Sequence, residues 1–297
     1  MIEEKLSNGY PSDDLSTEDA YRHNCPVCTS TMVKLFSAMV LAKYEVDYFR
    51  CRECGTIQTD QPYWLDEAYD SAIADLDVGL VKRNLELSKT AGNIIDSYFD
   101  VQGRFLDFAG GYGLFVRLMR DQGFNFFHYD AFCQNLFAKY FSISDLDSAV
   151  GDFELITAFE FFEHVNDPVT QCERMLSLTE TIIFTTELAP DDIRTVEDWW
   201  YFVPESGQHI TFYTRSSLMQ LASQLNGEFY SDGTWLHAIT RKKLDGFSLF
   251  MENSGKGWHG LRNRFLKALG RKPPRTVRDQ SVSTMRDYQY IKRLLNR

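Results

Sequence analysis

The chain has 297 residues, a formal net charge of −11 and no long uninterrupted apolar run. That excludes a membrane-spanning helix, which needs about 18 apolar residues, and leaves room for one large domain with appendages. The charge is uneven: residues 241–297 hold 15 Lys and Arg against 4 Asp and Glu, and residues 1–240 hold 16 against 38. An acidic body argues against general nucleic-acid binding, because phosphate contacts need clustered cations, so the basic tail is the stretch suited to an anionic partner. Met1-Ile2-Glu3-Glu4-Lys5 has no basic region followed by an apolar core, so no signal peptide is expected and the expected location is the cytoplasm.

Residues 1–22 are polar and acidic, with turn signals at Asn8-Gly9 and Pro11-Ser12-Asp13-Asp14, and read as a flexible lead-in. Residues 23–60 form a separate small module. It carries Cys25-Pro26-Val27-Cys28 and Cys51-Arg52-Glu53-Cys54-Gly55, with 22 residues between the two pairs. Each pair places two thiolates on one turn, facing one metal at tetrahedral geometry. Four reduced thiols or two disulfides are the alternatives. A cytosolic setting argues against disulfides, and the paired spacing argues against chance. We expect a structural zinc on Cys25, Cys28, Cys51 and Cys54, with iron in a rubredoxin-like site as the alternative. Cys133 and Cys172 are isolated and expected to be ordinary.

Residues 61–243 carry the main domain. The aromatics of 62–78 either cap a site or pack the small module onto the domain. From Gly79 to Phe99 apolar residues recur at helical spacing. Arg104-Phe105-Leu106-Asp107-Phe108 is a strand, Ala109-Gly110-Gly111-Tyr112-Gly113 a small-residue turn, and a helix follows from Leu114. Strand, glycine-rich turn and helix open a nucleotide-binding α/β domain. Asp107 sits at the strand end, where a carboxylate repels a pyrophosphate and attracts a cationic amino-acid ligand. Asn125 to Asp130 is the second strand, and Asp130 lies 23 residues beyond Asp107. A carboxylate there can accept both ribose hydroxyls. Phe132 either stacks on a base or joins the core. A third strand is placed near Phe141-Ser142-Ile143.

Glu154 to Phe159 reads as a buried strand that runs into Glu160-Phe161-Phe162-Glu163-His164-Val165-Asn166-Asp167-Pro168. Ligands in open α/β sheets sit at the carboxyl ends of strands, so Glu160, Glu163 and His164 are placed for chemistry; capping the helix that starts near Asp167 is the alternative. Thr181 to Thr186 is a further strand. The loop that follows holds Trp199, Trp200, Tyr201 and Phe202, then His209-Ile210-Thr211-Phe212. It serves as a lid or binding loop, or its rings are core. A helix from Ser216 capped by Thr214, and strands at 228–230 and 234–240, complete the domain.

The Asp107-x-Ala109-Gly110-Gly111-x-Gly113 turn resembles the first motif of the class I S-adenosylmethionine (SAM) methyltransferases, with Ala109 in place of the first glycine. The resemblance covers roughly 80–241. It implies an α/β fold: a Rossmann-like seven-stranded sheet with helices on both faces, beside a zinc-ribbon-like module similar to one on sugar methyltransferases. It implies SAM held by Asp107, Ala109, Gly110, Gly111, Gly113, Asp130, Ala131, Phe132 and Phe159, with Arg83 and Asn84 able to face the pocket. Phe159 to Pro168 is similar to a Phe-Glu-x-x-Glu-His-x-x-Asp-Pro segment of many small-molecule and sugar methyltransferases. Two mechanisms fit. In one, His164 is the general base, oriented by Glu163 or Glu160. In the other, Glu160, Glu163, His164 and His209 bind a divalent cation such as Mg²⁺ that acidifies a hydroxyl; ubiquinone-pathway and small-RNA 2′-O-methyltransferases share parts of this set.

The expected function is O-methylation of a sugar hydroxyl in bacterial surface-glycan or sugar-nucleotide metabolism, on a small-molecule or glycan acceptor. A phenolic or RNA-end hydroxyl is the enzymatic alternative. A zinc-ribbon adaptor on an inactive fold is the non-enzymatic one. Residues 244–297 form a basic, partly helical tail. Trp258, Leu261, Phe265, Leu266 and Leu269 make one helical stripe flanked by Arg262, Arg264 and Lys267. Such a stripe either docks peripherally on an anionic membrane or packs back on the acidic body.

Overall fold

The structure is a computed structural model of the chain, and it describes residues 24–69, 77–146, 153–248 and 280–295. Two sheets organise it. The larger has six strands: β4 (Arg104–Phe108), β5 (Asn125–Tyr129), β6 (Leu155–Ala158), β7 (Thr181–Thr185), β9 (Glu228–Ser231) and β10 (Leu236–Thr240), in the order β5-β4-β6-β7-β10-β9. The four strands β5, β4, β6 and β7 run parallel, and β10 and β9 close the sheet antiparallel. The parallel strands are apolar on both faces, as strands covered by helices must be; Ile156, Phe105 and Ile182 are wholly buried.

The expected seventh strand is reduced to one parallel bridge, His128 to Ser142. Ser142 and Asp145 form a reciprocal capping box, and Ile143–Asp145 coils into a short 3-10 turn. Local side-chain bonds therefore take the backbone groups that a strand would have put into the ladder.

The helices follow the periodicity closely. Helix α2 (Leu80–Tyr98) buries Leu87, Ala91, Ile94 and Ile95. Helix α3 (Leu114–Asp121) starts at Gly113, which takes φ +83°. Helix α4 (Pro168–Leu176) is capped by Asp167, whose carboxylate accepts the Thr170 amide at 3.0 Å. With Asp167 as the cap, Glu163 and His164 are free of that duty. Helix α5 (Arg215–Gln224) is capped by Thr214, as its sequence suggests.

The smaller sheet has the order β1-β2-β3-β8, from β1 (Met32–Val40), β2 (Tyr44–Cys51), β3 (Ile57–Thr59) and β8 (Thr211–Phe212). The cysteine module is not a detached appendage. Its sheet is completed by β8, a strand from the main domain, through Ile57↔Phe212 and Gln58↔Thr211. Trp64, beside α1 (Leu65–Ala68), donates its indole N–H to the Gly207 carbonyl at 2.8 Å. Tyr48, Phe202 and Phe212 form one aromatic core beneath this sheet, with Phe202 and Phe212 centroids 4.7 Å apart. Residues on both sides of position 60 therefore share one sheet and one aromatic core. The rings of the 199–202 loop belong to this core, except Trp200, which is 70 % exposed.

Helix α6 (Gln280–Leu295) packs against α3. The amphipathic stripe at 257–269 lies outside the described residues. Among the described residues no helix is long and apolar enough to cross a membrane.

Candidate active site

A cleft of about 410 Å³ opens over the carboxyl ends of β4 and β6 and reaches the loop before β8. On one side it is lined by Asp107, Ala109, Gly110, Gly111 and Phe159, on the other by Glu160, His164, Tyr201, Gln208 and His209. Arg83 and Asn84 of α2 line it too, as does Cys133, which the sequence left as ordinary.

The glycine-rich turn is shaped for a close ligand. A methyl carbon on Gly110 would lie 2.6 Å from an Asp107 carboxylate oxygen and 2.9 Å from the His128 ring, so the position tolerates only glycine. Gly111 takes φ +55° and has nothing within 4 Å of where a side chain would begin. Its open face lets a ligand approach the chain closely. Ala109 also takes positive φ, +56°, a backbone cost of roughly 1 kcal/mol or more that a glycine would avoid. Asp107 is buried and accepts the Thr157 hydroxyl at 2.7 Å. Burial, opposed by that bond and reinforced by the charge of Asp130, pushes its pKa up to about 7. A cationic ligand end would restore the carboxylate. These features fit SAM.

Asp130 is engaged with the backbone at the strand end. Its carboxylate accepts the Gly111, Phe132 and Cys133 amides at 2.7–2.9 Å. It ties the two strand-end loops together and does not line the cleft. Ala131 and Phe132 are exposed beside it, with Phe132 78 % exposed. The acid at the second strand end builds the cradle through backbone bonds, and Cys133 supplies the wall.

The second half of the site is a turn set on two buried rings. Phe161 packs edge-on against Phe108 at 5.1 Å, and Phe162 stacks on Phe184 at 4.1 Å. With both rings anchored below, Glu160 and His164 line the cleft and Glu163 is buried behind them. Glu160 sits at φ +51°, uncommon for a residue with a side chain. Its Oε1 accepts from Thr185 at 2.8 Å and from the Trp235 indole at 3.2 Å, and its Oε2 pairs with Arg83 at 3.5 Å.

A carboxylate oxygen of Glu163 and ring nitrogens of His164 and His209 all lie within 4.8 Å of one another. Glu160, expected in this set, is not among them; its bonds to Thr185, Trp235 and Arg83 hold it aside. Nδ1 of His164 donates to the Gln208 carbonyl at 3.0 Å and also meets the Tyr69 hydroxyl at 2.9 Å. Nδ1 of His209 donates to the Tyr201 carbonyl at 2.7 Å. Both histidines therefore keep Nε2 as a bare lone pair. Burial first, and for His209 also the neighbouring His164, lowers their pKa values to about 4 and about 3, so both rings are neutral at pH 7. Glu163 is fully buried. Burial and the charge of Glu160 raise its pKa to about 8. Its Oε1 accepts the Tyr201 hydroxyl at 2.7 Å, while its Oε2 and the nearby Thr186 hydroxyl are both buried without a hydrogen-bond partner. A bound cation would displace the Glu163 proton, and two neutral imidazoles with the resulting carboxylate suit a divalent cation.

Sequence reasoning missed Tyr201 and Gln208 as holders of this cluster. Tyr201 lies in an aromatic run whose members look alike in sequence, and only the fold selects one.

The four cysteines converge at the far end of the smaller sheet. Cys25 and Cys54 sulfurs lie 3.4 Å apart, as do those of Cys28 and Cys51, and all four lie within 4.8 Å of one another. The spacing is near the edge of a zinc–thiolate tetrahedron, about 3.8 Å, and far from a disulfide bond. The donor set fits zinc. Cys172 is a buried core residue.

A methyltransferase-domain family matches residues 80–229, half of the chain. No curated protein matches the chain. Similar solved structures include magnesium protoporphyrin IX methyltransferase from Synechocystis PCC 6803 with bound S-adenosylhomocysteine (SAH). It is 10 % identical with a TM-score of 0.40, over 59 % of this chain and 92 % of that one. The plantazolicin methyltransferase in complex with SAH is 11 % identical with a TM-score of 0.40, over 61 % and 95 %. A small RNA methyltransferase is 15 % identical with a TM-score of 0.38, over 59 % of this chain and 26 % of that one. The matched span runs from α2 to β9 and takes in the Asp107–Gly113 turn and the Glu160–His164 turn, so the chain belongs to the methyltransferase-domain family and is a SAM-dependent methyltransferase.

Proposed function

We propose that the chain is an O-methyltransferase acting on a sugar hydroxyl. Glu163, His164 and His209 hold a divalent cation such as Mg²⁺ at the acceptor, and Cys25, Cys28, Cys51 and Cys54 hold a structural zinc. The reading is carried by one observation: two cleft-lining histidines with Nδ1 committed to backbone carbonyls, and the buried Glu163 carboxylate behind them, have donor atoms within 4.8 Å of one another.

SAM, when bound, supplies an electrophilic methyl group. A neutral hydroxyl is a poor acceptor until its proton is removed or shared. A cation on the three donors would lower the hydroxyl's pKa and hold its oxygen in place. An amine acceptor would need no such device, so the cluster favours oxygen. His164, at a pKa of about 4, is a weak base and a good neutral ligand. The exposed Trp200 ring on the cleft wall offers a stacking face for a sugar.

The test has two arms. Mass spectrometry of sugar nucleotides and glycan extracts treated with enzyme and SAM should reveal products heavier by one methylene. EDTA should abolish the transfer and Mg²⁺ or Mn²⁺ restore it, with circular dichroism as the check that the cysteine module stays folded. His209→Ala should lower turnover by about 10²-fold or more and leave SAM affinity within error. Transfer that is insensitive to EDTA would leave His164 as the base and His209 as a packing residue.

A further inference from the structure

Tyr201 is bonded to two of the three donors at once. Its hydroxyl donates to Glu163 Oε1 at 2.7 Å, and its carbonyl oxygen accepts from Nδ1 of His209 at 2.7 Å. Its ring lies 4.7 Å from the His209 ring, centroid to centroid. The residue is 2 % exposed and is wedged among Trp199, Trp200 and Phe212, at centroid separations of 5.3, 5.3 and 6.5 Å. The phenol and the backbone carbonyl of this one residue thus touch two members of the Glu163, His164 and His209 group.

Resting on the cation reading above, we propose that Tyr201 is the positioning residue of the cation site. It fixes the orientation of the Glu163 carboxylate and the tautomer and angle of the His209 ring. A carboxylate with one oxygen tied cannot turn to exchange its two oxygens. The tied Oε1 leaves Oε2, buried near the Thr186 hydroxyl, as the oxygen free to meet a cation. A carbonyl on Nδ1 obliges the proton onto that nitrogen and the lone pair onto Nε2. The same residue thus sets the donor atom of two of the three residues that would hold the ion, from a ring that aromatic neighbours hold still. Gln208 does the corresponding work for His164 with its own carbonyl, at 3.0 Å.

The experiment uses the full-length, zinc-loaded protein and Mn²⁺, which prefers nitrogen and oxygen donors over thiolates. Free Mn²⁺ is followed by electron paramagnetic resonance. Tyr201→Phe keeps the ring and the carbonyl and deletes the hydroxyl. Its Mn²⁺ affinity should fall about 10–100-fold, as when an outer-sphere partner is lost. SAM affinity should not change, and excess Mn²⁺ should bring turnover back toward the parent value. In a Glu163→Gln background the same change should have a clearly smaller effect on Mn²⁺ affinity, because the partner it acts through has been altered. Parent-like Mn²⁺ affinity in Tyr201→Phe, or equal effects in both backgrounds, would overturn the proposal while leaving the cation reading intact. Loss of fold or of SAM binding in Tyr201→Phe would assign the residue to packing and also overturn it. If the parent protein binds no Mn²⁺ at all, the cation reading fails first and this inference with it.

Discussion

At the scale of single residues, burial does most of the chemical tuning. Asp107 and Asp130 are both strand-end acids, yet only Asp107 is sunk beneath the cleft, with its pKa raised to about 7. An acid raised in this way is largely protonated below that pH, and a cationic ligand must displace the proton to form its ion pair. SAM affinity should therefore weaken as pH falls below about 7, by up to about tenfold per pH unit, and level off above it. Asp107→Asn should bind SAM more weakly, by about 1.5–3 kcal/mol, with no such pH dependence. Calorimetry across pH checks this; an unchanged slope in the variant would mean another group carries the proton. The motif residues Asp107, Glu163 and His164 were legible because strand-end chemistry marks them. Which acid lines the cleft was not legible, because it depends on burial and on the partners each carboxylate finds: the Thr157 hydroxyl for Asp107, three backbone amides for Asp130.

At the scale of elements, the important pairing is β3 with β8. Thr59 N donates to the Ile210 carbonyl at 2.9 Å, and Ile210 N donates to the Glu163 carbonyl at 2.8 Å. The residue after His209 is thus clamped between the cysteine module and the Glu163 turn. Thr214, just past β8, donates its hydroxyl to the Cys54 carbonyl at 2.6 Å, and Gln58 bonds both Asn166 and Thr211. Through these links the four-cysteine knot supports the segment that carries His209. Cys51→Ser should release the metal, as elemental analysis would report, and should also weaken Mn²⁺ binding at the cleft by tenfold or more, on the order of an outer-sphere loss. SAM binding should survive, since its cradle stands on β4 and β5. Parent-like Mn²⁺ affinity in a zinc-free variant would show the two sites to be independent. The sequence displayed the cysteine pairs and the His209-Ile210-Thr211-Phe212 segment but not their union, which joins residues about 150 positions apart in one ladder.

At the scale of the whole molecule, the charge asymmetry is partly settled by α6. Asp287 is 2 % exposed and bonds Arg120 at 2.9 Å and Arg117 at 3.0 Å. Tyr290 of the same helix stacks on Phe141 at 5.7 Å. The contact is an acid of the basic tail meeting bases of the acidic body, the reverse of what bulk charge suggests. Burial pushes the Asp287 pKa up, but the hydrogen bond and charge of Arg120, then Arg117, outweigh it and hold it below the usual range. A depressed acid stabilises the fold above its unfolded pKa of about 4 and loses that contribution as pH falls through the lowered value. Asp287→Ala would strand a buried Arg120 and should cost about 3–5 kcal/mol, or less where undocking of α6 lets the guanidinium reach water. Urea titration with hydrogen exchange over 280–295 measures both outcomes. Unchanged stability and protection would show that the ion pair does not hold the helix.

What the sequence determined by itself is whatever depends on neighbours in the chain. The strand–turn–helix of 104–121, the periodic helix of 80–98, the Asp167 and Thr214 caps and the paired cysteines are all local patterns, set by side-chain alternation, capping and φ preference. The tertiary structure alone decided the rest. Among the described residues it gave the larger sheet six strands, with Ser142 and Asp145 closing a local turn beside its edge. It tied Asp130 to the Gly111 amide and set Glu160 aside, and it chose Tyr201 from a run of similar rings to hold both Glu163 and His209. Each of these is a competition for hydrogen-bond partners or buried volume between segments distant in sequence, and such competitions are resolved only when the chain has folded.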